Sequence, residues 1–162
     1  MSRGDITFKD EAAFAGQGAL RFLVAAGATA ILAGEPVSCP LGAVQAAIPM
    51  ATNNPVVGTI YVAGIAAIDS TQTASVAGYV DCYPVTSAAV FLIAPKVAAT
   101  FDTQAEYDAL VGSRVLLDLT AGVYTILAAD GSTYGCVIRP LDVFKYPGKV
   151  AFSFRAGASY LA

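Results

Sequence analysis

Apolar and polar residues alternate in several stretches of the chain, and this alternation is typical of short β-strands. The stretch 74–83 has two phases: one holds Val76, Val80 and Cys82, and the other holds Tyr79, Asp81 and Tyr83. Successive side chains of a strand point to opposite faces of a sheet. The pattern therefore predicts a strand with one buried and one exposed face.

Runs of apolar and β-branched residues predict further strands, because such residues are enriched in sheets. These runs are 21–26, 30–33, 37–39, 56–68, 90–94, 114–119 and 149–155. Within the run 56–68, Gly58 and Gly64 indicate a bulge or a close backbone approach. The many alanines between positions 21 and 33 leave a helix open as an alternative there.

The dipeptide Asp130-Gly131 lies between two apolar stretches, 123–129 and 132–138. Asp-Gly favours the positive backbone angles that a two-residue hairpin turn requires. The sequence therefore predicts that these two stretches pair with each other as a β-hairpin.

One short helix is predicted after position 103. Thr103 and Glu106 have the spacing of a capping box, in which each side chain accepts a hydrogen bond from a backbone amide at the helix start. Tyr107, Leu110 and Val111 form the predicted apolar face, and Gly112 suits the left-handed residue that ends a helix. Two turns are too short to be stable alone, so we expect this helix to pack on a sheet.

These elements predict a mainly β fold in one domain, since 162 residues is a common domain length. We expect a single-domain antiparallel β-barrel or a jelly-roll-like sandwich with one short helix. Residues 1–20 mix charge, glycine and the aromatic Phe8 and Phe14 without a sustained period. This predicts an extended N-terminal arm, followed by a β-rich domain at 21–162.

The composition predicts a surface that is poor in charge. Charged residues make up 13% of the chain, against about 25% in ordinary soluble domains. The net charge is −3 and the basic residues are scattered, so we expect neither nucleic acid nor a membrane as a partner. The N-terminus lacks the pattern of a secretory signal, so we expect synthesis in the cytoplasm.

The residues that carry most enzyme chemistry are sparse. The chain has no histidine, which excludes relays that pair histidine with serine or cysteine. Its densest acids, Asp102 and Glu106, have spacing that helix capping explains. Cys39, Cys82 and Cys136 are far apart in sequence and suggest buried thiols. We expect no catalytic residue, no metal site and no cofactor, and a protein that is not an enzyme.

Six segments of the chain form a further pattern: 30–37, 64–68, 78–84, 107–115, the Asp130-Gly131 region and 146–152. Together they resemble small capsid decoration proteins and minor structural proteins of tailed bacteriophages. The resemblance extends over roughly residues 25–160 and implies a cement protein on the capsid exterior. Such subunits are β-barrels or jelly rolls, often trimeric, that join major capsid proteins.

We therefore expect the chain to bury part of its surface against copies of itself, in a trimer by preference, and against a major capsid protein. The aromatic Phe8, Phe14 and Phe22 are the candidate interface residues. Two alternatives stay open. One is a tail or shell subunit that assembles by itself; the other is a β-barrel that binds a small ligand at a carboxylate-based site.

Overall fold

The structure is a computed structural model that describes residues 6–8, 18–40 and 46–158. This part of the chain contains eleven β-strands and one α-helix. The strands are β1 (Thr7–Phe8), β2 (Leu20–Val24), β3 (Pro36–Pro40), β4 (Ile48–Pro49), β5 (Ile60–Ala66), β6 (Gly78–Tyr83), β7 (Phe91–Ile93), β8 (Arg114–Thr120), β9 (Val123–Leu127), β10 (Cys136–Ile138) and β11 (Val150–Phe154). The helix, α1, is Gln104–Leu110, and short 3₁₀ turns cover Ala98–Thr100 and Ala156–Ala158.

The larger sheet has six antiparallel strands in the order β1-β7-β11-β10-β8-β9. Its last strand returns to the segment that follows β7. The Ile126 N–H donates to the Ala94 carbonyl at 3.1 Å, and the Lys96 N–H donates to the Ile126 carbonyl at 2.8 Å. These bonds close β7, β11, β10, β8 and β9 into a small barrel, which leaves no free edge at β9.

Large side chains fill the barrel. Phe91, Phe152 and Phe154 are fully buried, and their ring centroids lie 5.3–5.6 Å apart. Tyr107 of α1 and Tyr124 of β9 are buried in the same core. Aromatic pairs at this separation stabilise a core beyond the area they bury.

The smaller sheet has five antiparallel strands in the order β2-β6-β5-β3-β4. The Ala47 N–H donates to the Leu23 carbonyl at 3.0 Å, which brings the start of β4 against β2 and curls the sheet. The register between β3 and β5 shifts beside Gly64. A Cβ at Gly64 would collide with the Tyr83 carbonyl oxygen, so the bulge and close approach expected from Gly64 are confirmed.

The smaller sheet has a small core of its own and also packs into the barrel core through β5. Val62 and Ile65 of β5 belong to the same buried cluster as the barrel residues. Beside them, the Asn53 N–H donates to the Leu117 carbonyl and the Leu117 N–H donates to the Asn54 carbonyl, both at 2.9 Å. The predicted mainly β, single-helix barrel or sandwich is confirmed.

The predicted hairpin across Asp130-Gly131 is wrong. β9 pairs with β8 through a turn at Ala121 and Gly122, whose positive φ angles of 51° and 79° suit a two-residue hairpin. β10 lies on the other side of β8. The Asp130 carboxylate instead accepts a hydrogen bond from the Arg114 N–H at 2.9 Å and holds the connection against the start of β8.

The helix prediction is confirmed, including its capping box. The Thr103 hydroxyl accepts from the Glu106 N–H, and the Glu106 carboxylate accepts from the Thr103 N–H. Gly112 has the expected positive φ of 88°. The short strand expected at 30–33 is wrong, because these residues form a loop in which Ile31 is buried under the smaller sheet.

Candidate interaction surface

The three predicted interface residues fall in different places. Phe8 belongs to β1, whose backbone pairs with β7 opposite Phe91, so this part of the predicted arm extends the larger sheet. Phe14 lies outside the described residues. The side chain of Phe22 is buried in the core of the smaller sheet, beside Val24 and Val80.

Another set of side chains, which the sequence patterns did not indicate as an interface, lies on the strand pair β2 and β6, on the side away from Phe22. β2 and β6 turn one set of side chains away from the small core: Arg21, Leu23, Tyr79, Asp81 and Tyr83. We call this set the β2–β6 face. Leu23 is 45% exposed and Tyr83 is 40% exposed. The polar phase of the stretch 74–83 was the sequence pattern that could have indicated this face.

An ion pair fixes the centre of the β2–β6 face. Arg21 lies directly opposite Asp81 in the register, and its guanidinium donates two hydrogen bonds to that carboxylate, at 2.8 and 2.9 Å. The guanidinium also lies 3.8 Å from the ring centroid of Tyr79. The hydrogen bonds between Arg21 and Asp81 lower the pKa of Asp81 and raise the pKa of Arg21.

This arrangement restrains Arg21 on an exposed surface, through the ion pair with Asp81 and the contact with the ring of Tyr79. Arginine and tyrosine are among the residues that contribute most to binding at protein interfaces. A side chain that is already ordered loses less entropy when a partner covers it. The β2–β6 face can therefore act as a preorganised contact surface for another protein.

The acidic residues of the described segments have structural partners. Asp118 contacts Lys96 Nζ at 3.0 Å and accepts hydrogen bonds from the hydroxyls of Thr120 at 2.6 Å and Thr52 at 3.1 Å. These bonds, that of Thr120 foremost, lower the pKa of Asp118. Backbone N–H groups donate in a similar way to Glu35, Asp69, Asp130 and Asp142.

The acids near the helix also serve its cap. The hydroxyl of Thr103 donates to the Glu106 carboxylate at 2.6 Å, and this bond lowers the pKa of Glu106. A hydrogen bond with Glu106 raises the pKa of Asp102. Both groups are exposed, and the Glu106 carboxylate is favourable at the helix start because it faces unpaired backbone N–H groups.

Cys39, Cys82 and Cys136 are buried free thiols, as predicted. Burial raises the pKa of all three, that of Cys82 to about 12. A thiol is reactive as the thiolate, and burial disfavours that form in all three cysteines.

Within the described segments, no three acidic or cysteine side chains come together as a metal ion would require. Among the same residues, no helix has the length and apolar character of a membrane span. Comparisons of the chain with protein-family models, with curated proteins and with solved structures found no match.

Proposed function

We propose that this chain is a virion structural protein of a tailed phage, a decoration or cement protein that stabilises the head by packing between major capsid proteins. The observation that carries the proposal is the β2–β6 face. Leu23, Tyr79 and Tyr83 offer apolar area around the Arg21–Asp81 pair. Tyrosine and arginine are enriched at protein interfaces, and the Arg21 charge is already paired with Asp81.

The mechanism is the removal of additional surface from water when the subunit binds. Stable protein interfaces bury about 1,200–2,000 Å² in total, so a decoration protein must use a broad face rather than a single residue. A homo-oligomer, with a trimer favoured, multiplies the contact because each copy presents the same face to a symmetric lattice. The proposed location is the capsid exterior.

The filled barrel supports this role, because a rigid support keeps the contact side chains in place. Its interior is occupied by Phe91, Phe152 and Phe154, so the barrel has a packed core on which the smaller sheet can rest. The bonded acids also support a structural role. Asp118 ties three segments together, and Glu106 caps the helix.

Binding to purified heads of the phage that encodes the chain tests this proposal. Sedimentation of the protein with expanded heads gives its affinity. We expect Leu23→Glu to weaken binding at least about tenfold, which corresponds to about 1.4 kcal/mol. The matched control is Val97→Glu, because Val97 is also exposed, at 55%, and lies beside the 3₁₀ turn Ala98–Thr100.

Absence of binding to heads would contradict the proposal, and so would equal binding by both variants. Tubes or closed particles formed by the purified protein alone would favour the alternative of a self-assembling tail or shell subunit.

A further inference from the structure

The dipeptide Asp130-Gly131 lies in the connection between β9 and β10, outside the hairpin turn that its sequence predicts. Aspartate followed by glycine is the aspartyl sequence whose backbone rearranges most readily. Glycine has no side chain that would hinder its own nitrogen from attacking the preceding carboxyl group. The dipeptide is therefore a candidate modification site, and the contacts around it determine how fast it reacts.

The rearrangement uses only groups of the chain and water. The Gly131 nitrogen loses its proton and attacks Cγ of Asp130, and a succinimide ring closes as the carboxyl group loses one oxygen as water. A second water molecule then opens the ring at either of its carbonyl groups. Opening at the main-chain carbonyl gives isoaspartate, in which the backbone runs through Cγ, and opening at Cγ restores aspartate. The reaction needs no oxidant, reductant or other co-reactant.

Both reacting groups of the dipeptide are bound to Arg114 at the start of β8. The Arg114 N–H donates to the Asp130 carboxylate at 2.9 Å, and the Gly131 N–H donates to the Arg114 carbonyl at 3.2 Å. A backbone N–H that is hydrogen-bonded exchanges its proton when the structure around it opens. The rearrangement needs the same loss of the Gly131 proton, so the hydrogen bond to Arg114 suppresses the reaction while it is closed.

The ring of Tyr134 packs directly on Gly131. A Cβ at Gly131 would lie 2.7–2.8 Å from three ring atoms of Tyr134, which is closer than real Cβ contacts. The Tyr134 N–H also donates to the Gly131 carbonyl at 3.0 Å. This packing favours glycine at position 131, and the Arg114 N–H favours a side-chain acceptor at position 130. The reactive dipeptide therefore follows from the local structure.

The chain on both sides of the dipeptide is held by other contacts. Before it, Leu127 of β9 pairs with Leu116 of β8. After it, the Arg155 guanidinium donates to the Ser132 carbonyl at 2.9 Å and to the Tyr134 carbonyl at 2.8 Å. The dipeptide can therefore open while its neighbours stay in place. Asp130 is exposed, so water reaches the succinimide once it has formed.

We propose that Asp130-Gly131 is a site of spontaneous isomerisation to isoaspartate, and that local opening of its contacts with Arg114 and Tyr134 sets the rate. The rate in the folded protein is then the rate in the unfolded chain multiplied by the fraction of molecules in which the site is open. Isoaspartate adds a methylene group to the backbone and displaces the acceptor of the Arg114 N–H. The modification therefore loosens the connection at the start of β8.

Ageing of the full chain at neutral pH tests this proposal, and mass spectrometry with electron-transfer fragmentation measures isoaspartate at position 130. We expect isoaspartate to form in the guanidinium-unfolded chain and to form at least about tenfold more slowly in the folded chain. Tyr134→Ala should raise the rate in the folded protein at least about threefold, because it uncovers Gly131, and should leave the rate in the unfolded chain unchanged.

Two control variants accompany this measurement. Tyr83→Ala truncates a tyrosine on the β2–β6 face that is 40% exposed, and it should isomerise at the wild-type rate in both states. Asp130→Glu keeps a carboxylate, but its longer side chain closes a larger and less favourable ring. The Asp130→Glu chain should therefore show no isomerisation at position 130 even when it is unfolded.

A urea series on the wild-type chain distinguishes local from global opening and does not depend on the folding of any variant. Local opening exposes little surface, so its population changes little with urea, whereas that of global unfolding rises steeply. We expect a nearly constant isomerisation rate until the unfolding transition begins. A rate that follows the globally unfolded fraction would overturn the inference. Equal rates in folded and unfolded chains would also overturn it, as would a folded Tyr134→Ala that reacts at the wild-type rate. Binding to heads is measured separately, so the proposed function stands or falls independently.

Discussion

The barrel and the smaller sheet are built from different kinds of side chain. The barrel closes on itself around large rings, among them Phe91, Phe152 and Tyr124. The core of the smaller sheet consists mainly of valine, alanine and cysteine, with Phe22 as its one phenylalanine among the described residues. Larger buried side chains remove more apolar area from water. We therefore expect the barrel to contribute most of the stability, and the smaller sheet carries the proposed contact surface.

The two regions differ in the side chains that fill them, but they do not fold independently of each other. Val62 and Ile65 reach from the smaller sheet into the barrel core, so loss of the barrel must also release the β2–β6 face. We therefore expect a single unfolding transition in which both regions lose structure together.

Phe152→Ala should have the largest effect. The ring is fully buried between Phe91 and Phe154, and truncation of a buried phenylalanine costs about 3–5 kcal/mol. Urea unfolding gives the change in free energy. Phe144→Ala is the matched control, because its ring is exposed and its removal should change the unfolding free energy by less than about 0.5 kcal/mol. Equal effects would contradict the assignment of stability to the barrel.

Gly64→Ala should destabilise the smaller sheet by about 1–3 kcal/mol, because the added methyl group collides with the backbone of Tyr83. Gly18→Ala is the control, since a Cβ there meets no atom within 4 Å. Thermal unfolding of the two variants measures the difference. If Gly64→Ala is as stable as Gly18→Ala, the close approach of β5 to β6 is not as described.

Tyr107→Phe should lower the free energy of unfolding by about 1–3 kcal/mol, because it removes one hydrogen-bonded hydroxyl. That hydroxyl accepts from the Ala151 N–H at 2.8 Å and donates to the Arg139 carbonyl at 2.9 Å, so phenylalanine leaves a buried N–H without a partner. Tyr79→Phe, on the β2–β6 face, should change stability by less than about 0.5 kcal/mol. Urea unfolding of this pair compares a tyrosine of the barrel with one of the face.

Stability should fall at both extremes of pH, for different reasons. The pKa of Asp118 is lowered in the folded state, so its contribution is present above about pH 4 and is lost as the pH falls further. The pKa values of Tyr107 and Cys82 are raised to about 12, so their contribution is lost as the pH rises above about 9.

The substitution Asp118→Asn distinguishes the loss of stability at low pH from the loss at high pH. The variant should show a smaller loss of stability between pH 5 and about pH 2 and the same loss at high pH as the wild-type chain. Thermal midpoints across the pH range measure both. If Asp118→Asn loses as much stability at low pH as the wild-type chain, the bonds of Asp118 to Lys96 and Thr120 do not contribute to the free energy of unfolding.

Local patterns in the sequence were sufficient for the helix and for most strands. The Thr103–Glu106 cap and the alternation around Val80 depend on neighbours in sequence, so they could be predicted. The true hairpin partner of β9 could not be predicted in this way. Both Ala121-Gly122 and Asp130-Gly131 are compatible with a tight turn, and only the strand order shows that β9 pairs with β8.

The candidate site was less predictable than the fold. Aromatic residues indicate interfaces and cores equally, and only tertiary packing shows that Phe22 is buried while Phe144 is exposed. The pairing of Arg21 with Asp81 joins positions sixty residues apart. Such a pair follows from the strand order, which the sequence pattern does not define.

Electron cryo-microscopy of heads incubated with the protein would show whether the subunit binds the capsid and which face it uses. We expect density for the subunit on the outside of the head, with the β2–β6 face, including Arg21 and Tyr79, against major capsid proteins. Heads without added density, or bound subunits whose β2–β6 face points to solvent, would contradict this expectation.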